Sequence, residues 1–133
     1  MNASQSPVVL VVDDHADTRE MLLLWLGCSG FQGIEAVDAG AALAAVAEAV
    51  PDAILLDMGL PDLDGYEVCR RLRQNPATRA TPVIALTGYG SPGDLKRARD
   101  AGCDVVLVKP CPPDQVVLEL QRHLPAFFGP PGS

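Results

Sequence analysis

Two adjacent carboxylates, Asp13 and Asp14, follow directly on an apolar run over residues 8–12. A continuous run of this kind is typical of a strand that is covered on both faces in a parallel sheet. Other apolar runs of the sequence also end in polar side chains, namely Asp57, Thr87 and Lys109. Because ligands of an open α/β sheet bind outside the carboxyl ends of its strands, these five groups are expected to meet in one site.

Three carboxylates in one site repel one another, and a hard divalent cation relieves the repulsion. Mg²⁺ prefers carboxylate and carbonyl oxygens and keeps several waters. The three Asp charges, the Mg²⁺ ion and the Lys109 ammonium sum to about zero. An Asp nucleophile can form an aspartyl phosphate, whose oxygens would need the cation, an ammonium and a hydroxyl such as that of Thr87. The pattern therefore predicts a metal-dependent phosphoryl-acceptor site.

The elements that position these groups alternate along the chain. The predicted strands cover 8–12, 33–37, 53–56, 82–86 and 105–108, and the predicted helices cover 16–28, 40–49, 65–74, 92–101 and 113–123. Alternating strands and helices imply a parallel sheet with right-handed crossovers. The helix over 92–101 offers only Leu95, Ala98 and Ala101 for packing, so it is the element expected to move.

Several acidic side chains have local structural interpretations. Asp17 and Glu20 are expected to form a capping pair at the start of the first helix. Asp62 and Asp64 are expected to cap the third helix. An EF-hand loop through these two residues is rejected, because its twelfth position would be Arg71, where calcium needs a carboxylate.

The histidines and cysteines show no metal-binding spacing. His15 is expected to be a surface residue in the first turn of the first helix, and His123 to be solvated. The cysteines form neither a CxxC pair nor a zinc pattern, and they are expected to be reduced thiols. They are Cys28, Cys69, Cys103 and Cys111.

Length and charge limit the function classes. The chain has 133 residues, 48% of them apolar, and a net charge of −7, which fits one domain and argues against nucleic acid or anionic membranes as partners. No apolar run approaches the roughly 18 residues of a membrane span and the polar start has no signal-peptide pattern, so a cytoplasmic location is expected. We expect residues 1–6 to be flexible, 7–124 to form the domain, and 125–133 to form a Pro/Gly-rich tail.

The chain also lacks the glycine-rich loops that bind nucleotides. The first strand is followed by DDHAD, where a dinucleotide fold would carry GxGxxG, and no GxxxxGK[ST] segment occurs. Use of the fold for NAD or ATP is therefore not expected. The basic stretch RRLRQ, at 70–74, is interpreted as a solvated helix face.

Four motifs, taken together, are specific: VVDD, LLDMGLPDLDGYEVCRRLR, PVIALTGYG and AGCDVVLVKP. Through them, residues 7–124 resemble the receiver domain of two-component response regulators. The chain is similar to single-domain, chemotaxis-type regulators and to the receivers of hybrid histidine kinases. The resemblance implies a flavodoxin-like, doubly wound (βα)5 sandwich, in which a five-stranded parallel sheet has the order 2-1-3-4-5.

The resemblance also implies roles for the acidic residues. Asp57 is expected to be the phosphoacceptor. Asp13 and Asp14 are expected to bind Mg²⁺, for which Mn²⁺ could substitute, with Asp14 as the more direct ligand. Asp57 itself and the backbone carbonyl of Gly59 would complete the protein's ligands.

Further expectations concern the phosphate and the switch. Thr87 resembles the hydroxyl that reports the phosphate, Lys109 resembles the lysine that contacts it, and the Lys109–Pro110 bond is expected to be cis. The family often has an aromatic residue where this chain has Val106, so the usual coupling of the hydroxyl to an aromatic ring is missing. Tyr89, two residues after Thr87, is expected to flank the phosphate.

The implied function is that of a signalling switch. A histidine kinase or a histidine phosphotransfer protein would phosphorylate Asp57, and the face of the fourth helix, fifth strand and fifth helix would change its affinity for a protein partner. Beyond its own phosphorylation and slow autodephosphorylation, no enzyme activity is expected; an aspartyl phosphatase would need a DxD motif, and Asp57 is followed by Met58 and Gly59. The alternative is a protein-interaction module that works without phosphorylation. No nucleic-acid or membrane partner is expected, and the chain could stand alone or belong to a longer protein.

Overall fold

The computed structural model describes residues 6–88 and 90–128. In chain order the elements are β1 (Val8–Val12), α1 (Ala16–Cys28), β2 (Gln32–Ala36), α2 (Ala39–Glu48), β3 (Ala53–Asp57), α3 (Gly65–Gln74), β4 (Val83–Thr87), α4 (Pro92–Ala101), β5 (Val105–Val108), α5 (Pro113–Arg122) and α6 (Pro125–Phe128). Tyr89 lies outside the described residues, as do 1–5 and 129–133.

The five strands form one parallel sheet in the order β2-β1-β3-β4-β5. This confirms the predicted doubly wound fold. Asp57 is in register with Leu86, and Thr87 is in register with Val108. The ends of β3 and β4 therefore meet at one edge of the sheet, as the sequence predicts.

Strand and helix bounds differ from the prediction by one residue in several places. β3 and β4 each extend one residue further, to Asp57 and Thr87. The reason is that the ladder continues past the apolar residues: the Met58 amide donates to the Leu86 carbonyl, and the Lys109 amide donates to the Thr87 carbonyl. These sheet hydrogen bonds fix the backbone at both polar residues.

A hydrophobic cluster covers each face of the sheet. The cluster that includes α2, α3 and α4 contains Leu10, Ile54, Leu56, Val68, Leu72 and Ala98 among its members. The cluster that includes α1 and α5 contains Val9, Leu55, Ile84, Leu26, Val116 and Leu120. Val68, Leu72, Val116 and Leu120 face inward, as the helical periodicity predicts.

The first helix corrects one expectation. Its N-cap is His15, and no side chain of the described residues caps it through a hydrogen bond, so the capping pair of Asp17 and Glu20 is wrong. Asp17 stands inside the first turn, where its charge favours the helix dipole without closing a cap.

The buried residues of α1 are Leu22 and Leu26. The opposite side carries an exposed apolar stripe made of Met21, Leu24, Trp25 and Cys28. These residues follow the helical spacing of a single face.

Asp62 corrects a second expectation. Asp64 caps α3 as predicted, with its carboxylate accepting from the Glu67 amide. Asp62 instead accepts from the amides of Ala39 and Gly40, at the start of α2. These backbone hydrogen bonds lower the pKa of Asp62. The loop after β3 is therefore tied to a helix that precedes it in the chain.

The described part of the C-terminal segment forms the short helix α6. Residues of α6 follow α5 closely, and the Phe128 ring lies with its centroid 5.0 Å from that of Phe31. Phe127 is exposed. Among the described residues, no helix is both long and apolar enough to cross a membrane.

Candidate acidic site at the carboxyl edge of the sheet

Two carboxylates of the site are buried where neighbouring strands end. Asp13 follows β1 and is 1% exposed, and Asp57 closes β3 and is 4% exposed. β1 and β3 are paired, since Val12 is in register with Leu56. The parallel arrangement therefore brings both acids to the same edge, where burying two like charges is costly without a positive partner.

Asp13 is held through its backbone and one of its oxygens. The His15 amide donates to Asp13 Oδ1 at 2.8 Å, and Arg19 Nη1 donates to the Asp13 carbonyl at 2.8 Å. Arg19 is itself paired with Glu35. Asp13 Oδ2 is buried and has no hydrogen-bond partner. That oxygen is directed into the site and can accept a ligand.

Lys109 lies between the two buried carboxylates. Its Nζ is 3.4 Å from Asp57 Oδ1 and 3.6 Å from Asp13 Oδ2. The residue is positioned by its amide, which donates to the Thr87 carbonyl, and it precedes a cis bond to Pro110. One ammonium thus offsets part of the charge of two acids.

His15 contributes more to the site than the sequence indicates. It is exposed as expected, but its Nδ1 lies 3.3 Å from Asp13 Oδ1 and 3.2 Å from Asp14 Oδ1. The placement follows from its position as N-cap of α1, directly after the two acids. The only signal for it in the sequence is the adjacency DDH.

The donor set fits a divalent cation. One ligand atom from each of Asp13, Asp14, His15 and Asp57 lies within 4.8 Å of the others. Three of the four are carboxylate oxygens, which Mg²⁺ prefers over imidazole nitrogen. Asp13 also has an oxygen, Oδ2, that is buried and accepts no hydrogen bond. The cluster has the chemistry of a magnesium site.

Glycines shape the loop that follows Asp57. The Gly59 amide donates to Asp57 Oδ1 at 3.0 Å, and a Cβ at Gly59 would meet that oxygen at an ordinary 3.7 Å. A Cβ at Gly65 would lie 2.7 Å from both Cα and Sδ of Met58. Glycine at 65 therefore allows the start of α3 to press against the residue after Asp57. Gly65 is not among the site residues predicted from the sequence, where its position directly after the N-cap residue Asp64 is the one signal for it.

A groove of about 270 Å³ opens beside Asp57 and Thr87. Thr87 is buried at its floor, and α3 and α4 supply charged and aromatic side chains to its wall. The Arg97 guanidinium lies 3.9 Å from the centre of the Tyr66 ring and 3.6 Å from an Asp64 oxygen. Burial raises the pKa of Tyr66, and Asp94 contributes in the same direction.

Val106 is half-buried and packs against the core cluster that contains Ala98 of α4. Valine therefore occupies the position of β5 at which the family often has an aromatic residue. The valine side chain is short and stiff at χ1, so it cannot swing between a buried and an exposed rotamer as an aromatic side chain at this position would.

The chain matches the family described as "Response regulator receiver domain" over residues 9–121. The fold, the acidic edge and this match define the class: the chain belongs to the receiver domain family of two-component response regulators. Members are signalling domains that bind Mg²⁺ in an acidic pocket and interact with histidine kinases or phosphotransfer proteins.

Individual relatives support the same family. The chain is 38% identical to the transcriptional regulatory protein ResD of Bacillus subtilis, over 93% of this chain and 50% of ResD. It is 35% identical to the protein PilG of Pseudomonas aeruginosa, over 90% of this chain and 88% of PilG. The chain thus spans half the length of one relative and most of the other.

Solved structures agree with the sequence relatives. The chemotaxis response regulator CheY4 of Vibrio cholerae superimposes with a TM-score of 0.86 at 32% identity, covering 90% of this chain and all of that one. The receiver domain of a signal transduction histidine kinase from Syntrophus aciditrophicus gives 0.84 at 31% identity, covering 90% of this chain and 91% of that one. Similarity thus extends both to a chemotaxis regulator and to the receiver of a kinase.

Proposed function

We propose that Asp57 of this receiver accepts a phosphoryl group from a phosphohistidine donor in a Mg²⁺-dependent step. The observation that carries the proposal is the position of the Lys109 ammonium, 3.4 Å from Asp57 Oδ1 and 3.6 Å from Asp13 Oδ2, a buried oxygen that accepts no hydrogen bond. One cation between two buried acids leaves negative charge that a divalent ion can balance.

In the proposed step, an Asp57 carboxylate oxygen attacks phosphorus, and the bond from phosphorus to the donor imidazole nitrogen breaks. The imidazole leaves with the electron pair of that bond and takes up a proton from solvent. Lys109 stabilises the charge on the transferred oxygens, and the Gly59 amide keeps the carboxylate oriented through its 3.0 Å hydrogen bond.

The proposed metal ligands are the carboxylates of Asp13, Asp14 and Asp57 and the backbone carbonyl of Gly59. When bound, Mg²⁺ supplies charge neutralisation for the carboxylates and the phosphoryl oxygens. Asp14 is the most exposed of the three acids, which suits a ligand that first meets an incoming hydrated ion. Mn²⁺ prefers similar oxygen ligands and is the proposed substitute.

Phosphorylation would replace one carboxylate charge with a group of about −2 and new acceptor oxygens. We propose that Thr87 and Lys109 are drawn to these oxygens and that the loops after β3 and β4 shift with them. The lightly packed α4 would follow, so the face of α4, β5 and α5 would change its affinity for a downstream protein. Because Val106 replaces the usual aromatic, this change would proceed through backbone and helix movement.

Met21, one residue of the exposed apolar stripe of α1, lies beside the site and offers the phosphodonor an apolar surface. Met21 and Leu22 line a cavity of about 390 Å³ together with Lys109 and Pro110. An apolar helix face next to a catalytic edge suits a helical partner. We propose that a histidine kinase or a histidine phosphotransfer protein docks there, with no nucleic acid or membrane taking part.

A phosphorylation-independent interaction module is the second candidate function. Val106 favours it, because the family's usual switch residue is absent. The slow hydrolysis of an aspartyl phosphate by the domain itself belongs to the first function only. The two functions therefore differ in whether a phosphoryl adduct forms at all.

The deciding experiment is intact-mass spectrometry after incubation with acetyl phosphate, with and without Mg²⁺. The parent chain is expected to gain one phosphoryl group only with Mg²⁺, and Asp57→Asn none. Glu48→Gln, which makes the same charge change on an exposed residue of α2, is expected to behave as the parent. No adduct on the parent under either condition would exclude the proposed acceptor and favour the interaction module.

A further inference from the structure

Two buried cysteine thiols are in contact away from the acidic site. Cys69, on α3, is 0% exposed, and Cys103, which lies just before β5, is 7% exposed. The Cys103 thiol donates to Cys69 Sγ over 3.5 Å. The two residues are 34 positions apart in the sequence, so tertiary structure alone brings the thiols together.

Arg73 holds the segment that carries Cys103 against α3. It stands one helical turn after Cys69, on the same face of the helix. Its Nε donates to the Gly102 carbonyl at 2.9 Å, and its Nη2 forms a 2.8 Å ion pair with Asp104 Oδ2. The residues on both sides of Cys103 are thus fixed by the same guanidinium.

Gly102 makes this close approach possible. Its φ of +109° is in the left-handed region, where it ends α4. A Cβ at this position would lie 2.6 Å from Arg73 Cγ. The turn between α4 and β5 is therefore built against the Arg73 side chain, and it delivers Cys103 to Cys69.

The surroundings lower the pKa of Cys69 and so ease its deprotonation. The hydrogen bond from Cys103 lowers the pKa of Cys69, and the nearby Arg73 charge acts in the same direction against the effect of burial. The same hydrogen bond and burial raise the pKa of Cys103. A thiolate in contact with a second thiol is the arrangement from which a disulfide forms.

We propose that Cys69 and Cys103 form a redox-active dithiol, which a peroxide converts into an intramolecular disulfide between α3 and the turn that joins α4 to β5. This oxidation does not depend on phosphorylation of Asp57. A disulfide needs an S–S distance of about 2.05 Å, so the two sulfur atoms must approach by about 1.5 Å. Hydrogen peroxide is close to water in size, and opening of the lightly packed α4 would give it access.

The reaction consumes one peroxide for each disulfide. The Cys69 thiolate attacks one peroxide oxygen, an S–O bond forms, the O–O bond breaks, and the released hydroxide takes up a proton to become water. Cys103 sulfur then attacks the Cys69 sulfur, an S–S bond forms, and the S–O bond breaks. The second hydroxide leaves with the Cys103 proton as water, so two thiols are oxidised and one peroxide is reduced to two waters.

The disulfide would have a structural consequence for α4. It would tie the segment at the C-terminal end of this helix to α3 through a covalent bond, where the reduced form has the contacts of Arg73 and the hydrogen bond between the two thiols. Amide exchange in the last turn of α4 is therefore expected to slow on oxidation and to recover on reduction.

The test uses the full chain with Cys28→Ser and Cys111→Ser, so that Cys69 and Cys103 are the only thiols left in the sequence. After hydrogen peroxide, intact mass is expected to fall by about 2 Da, the two hydrogens lost on forming a disulfide. A non-reducing digest is expected to contain a peptide that links residues 69 and 103, and dithiothreitol is expected to restore the parent mass. Adding Cys103→Ala to this background is expected to abolish the linked peptide.

The Arg73→Lys variant tests whether Arg73 positions Cys69 and Cys103 for disulfide formation. Lysine lacks the planar fork of donors with which Arg73 bonds Gly102 and Asp104 together, so the disulfide is expected to form several-fold more slowly while the unfolding transition stays cooperative. Two free thiols at peroxide concentrations that fully oxidise Cys28 of the parent chain would overturn the proposal. Oxygen addition to either buried sulfur without the linked peptide would overturn it as well. If the double Ser variant does not fold, the same digest of the parent chain gives the answer.

Discussion

The Lys109 ammonium lies 3.4 Å from Asp57 Oδ1 and thus contacts the carboxylate that we propose as phosphoacceptor. It also lies 3.6 Å from Asp13 Oδ2, so its charge is shared between two buried acids. We therefore propose two roles for Lys109: it stabilises the folded edge of the sheet, and it meets the charge that develops during phosphoryl transfer. The two roles can be measured separately.

Lys109→Met is expected to slow phosphorylation by acetyl phosphate about 10²-fold, the usual loss when one preorganised donor to a developing charge is removed. Asp57 stays the acceptor, since the nucleophile is unchanged. The rate is read from intact-mass time courses at saturating Mg²⁺. Lys96→Met, which removes an exposed partner of Asp100 on α4, is the control and is expected to keep the parent rate. A parent-like rate in Lys109→Met would contradict the role of the ammonium.

Removal of Mg²⁺ is expected to lower the stability of the parent chain. The Asp13→Asn variant is expected to have the same stability with and without Mg²⁺. At a Mg²⁺ concentration 100 times the dissociation constant, binding to the folded state adds about 2.7 kcal/mol to the free energy of unfolding. Asp13→Asn loses a ligand charge, so its Tm is expected to be nearly independent of Mg²⁺. Thermal unfolding across a Mg²⁺ titration measures this. An equal Mg²⁺ response in both chains would place the ion elsewhere.

Gly65→Ala tests the packing that positions the loop after Asp57. The added Cβ would lie 2.7 Å from the Met58 backbone, and overpacking of this kind costs about 1–3 kcal/mol. We expect a lower Tm and slower phosphorylation together, because the same shift moves Met58 and its neighbour Asp57. Gly27→Ala is the matched control: nothing lies within 4 Å of its added Cβ, and the change in helix α1 is expected to raise stability by about 0.5–1 kcal/mol.

The sequence predicts the fold and the edge on which the site lies because both depend on local patterns. Apolar strands that end in Asp57, Thr87 and Lys109 are visible as runs of neighbouring residues. The features that the sequence does not reveal are contacts between residues that are far apart in the chain and close only in the folded structure. Asp62 caps a helix that lies 23 residues earlier, and this contact exists only once the sheet has placed the loop beside α2.

The same limit explains why the sequence does not reveal two other contacts. Gly65 and Met58 touch because α3 packs onto the loop, and no residue pattern encodes a backbone approach of that kind. Cys69 and Cys103 are free thiols, as the sequence predicts, but they are 34 residues apart without motif spacing, so the sequence does not reveal their contact. Their contact follows from the order β3, β4, β5 in the sheet and the packing of α3 beside the end of α4.

Asp62→Asn is expected to lower the Tm near neutral pH, because the hydrogen bonds from the Ala39 and Gly40 amides hold the pKa of Asp62 below its usual 3.8. A depressed folded pKa gives stability that is present above the unfolded value and is lost as the pH falls through the folded value. The difference in Tm between parent and variant is therefore expected to be full at pH 6–7 and to shrink below about pH 4.

Thermal unfolding at several pH values measures this difference. Glu48→Gln removes the same charge from the other end of α2, where an acid opposes the helix dipole, so it is expected to leave the Tm unchanged or slightly higher. A loss of Tm in Asp62→Asn that is equal at pH 3 and pH 7 would contradict the cap as its cause.

Thr87→Ala separates phosphorylation from the response to it. Asp57, Lys109 and the acidic pair are unchanged in this variant, so we expect a phosphoryl adduct in close to the parent yield. Without the hydroxyl, the loop after β4 has lost the group that we propose is drawn to the phosphoryl oxygens, and α4 is expected to respond weakly. Because Val106 provides no aromatic ring to act in parallel, the loss in α4 is expected to be large.

Amide exchange of α4, measured with and without phosphorylation, provides the readout for Thr87→Ala. Thr87→Ser keeps the hydroxyl and serves as the control, with an exchange response close to that of the parent. A normal response of α4 in Thr87→Ala would show that the switch does not pass through this hydroxyl. The signal would then have to travel from Asp57 through the loop after β3, where Gly59 and the start of α3 are the contacts that could carry it.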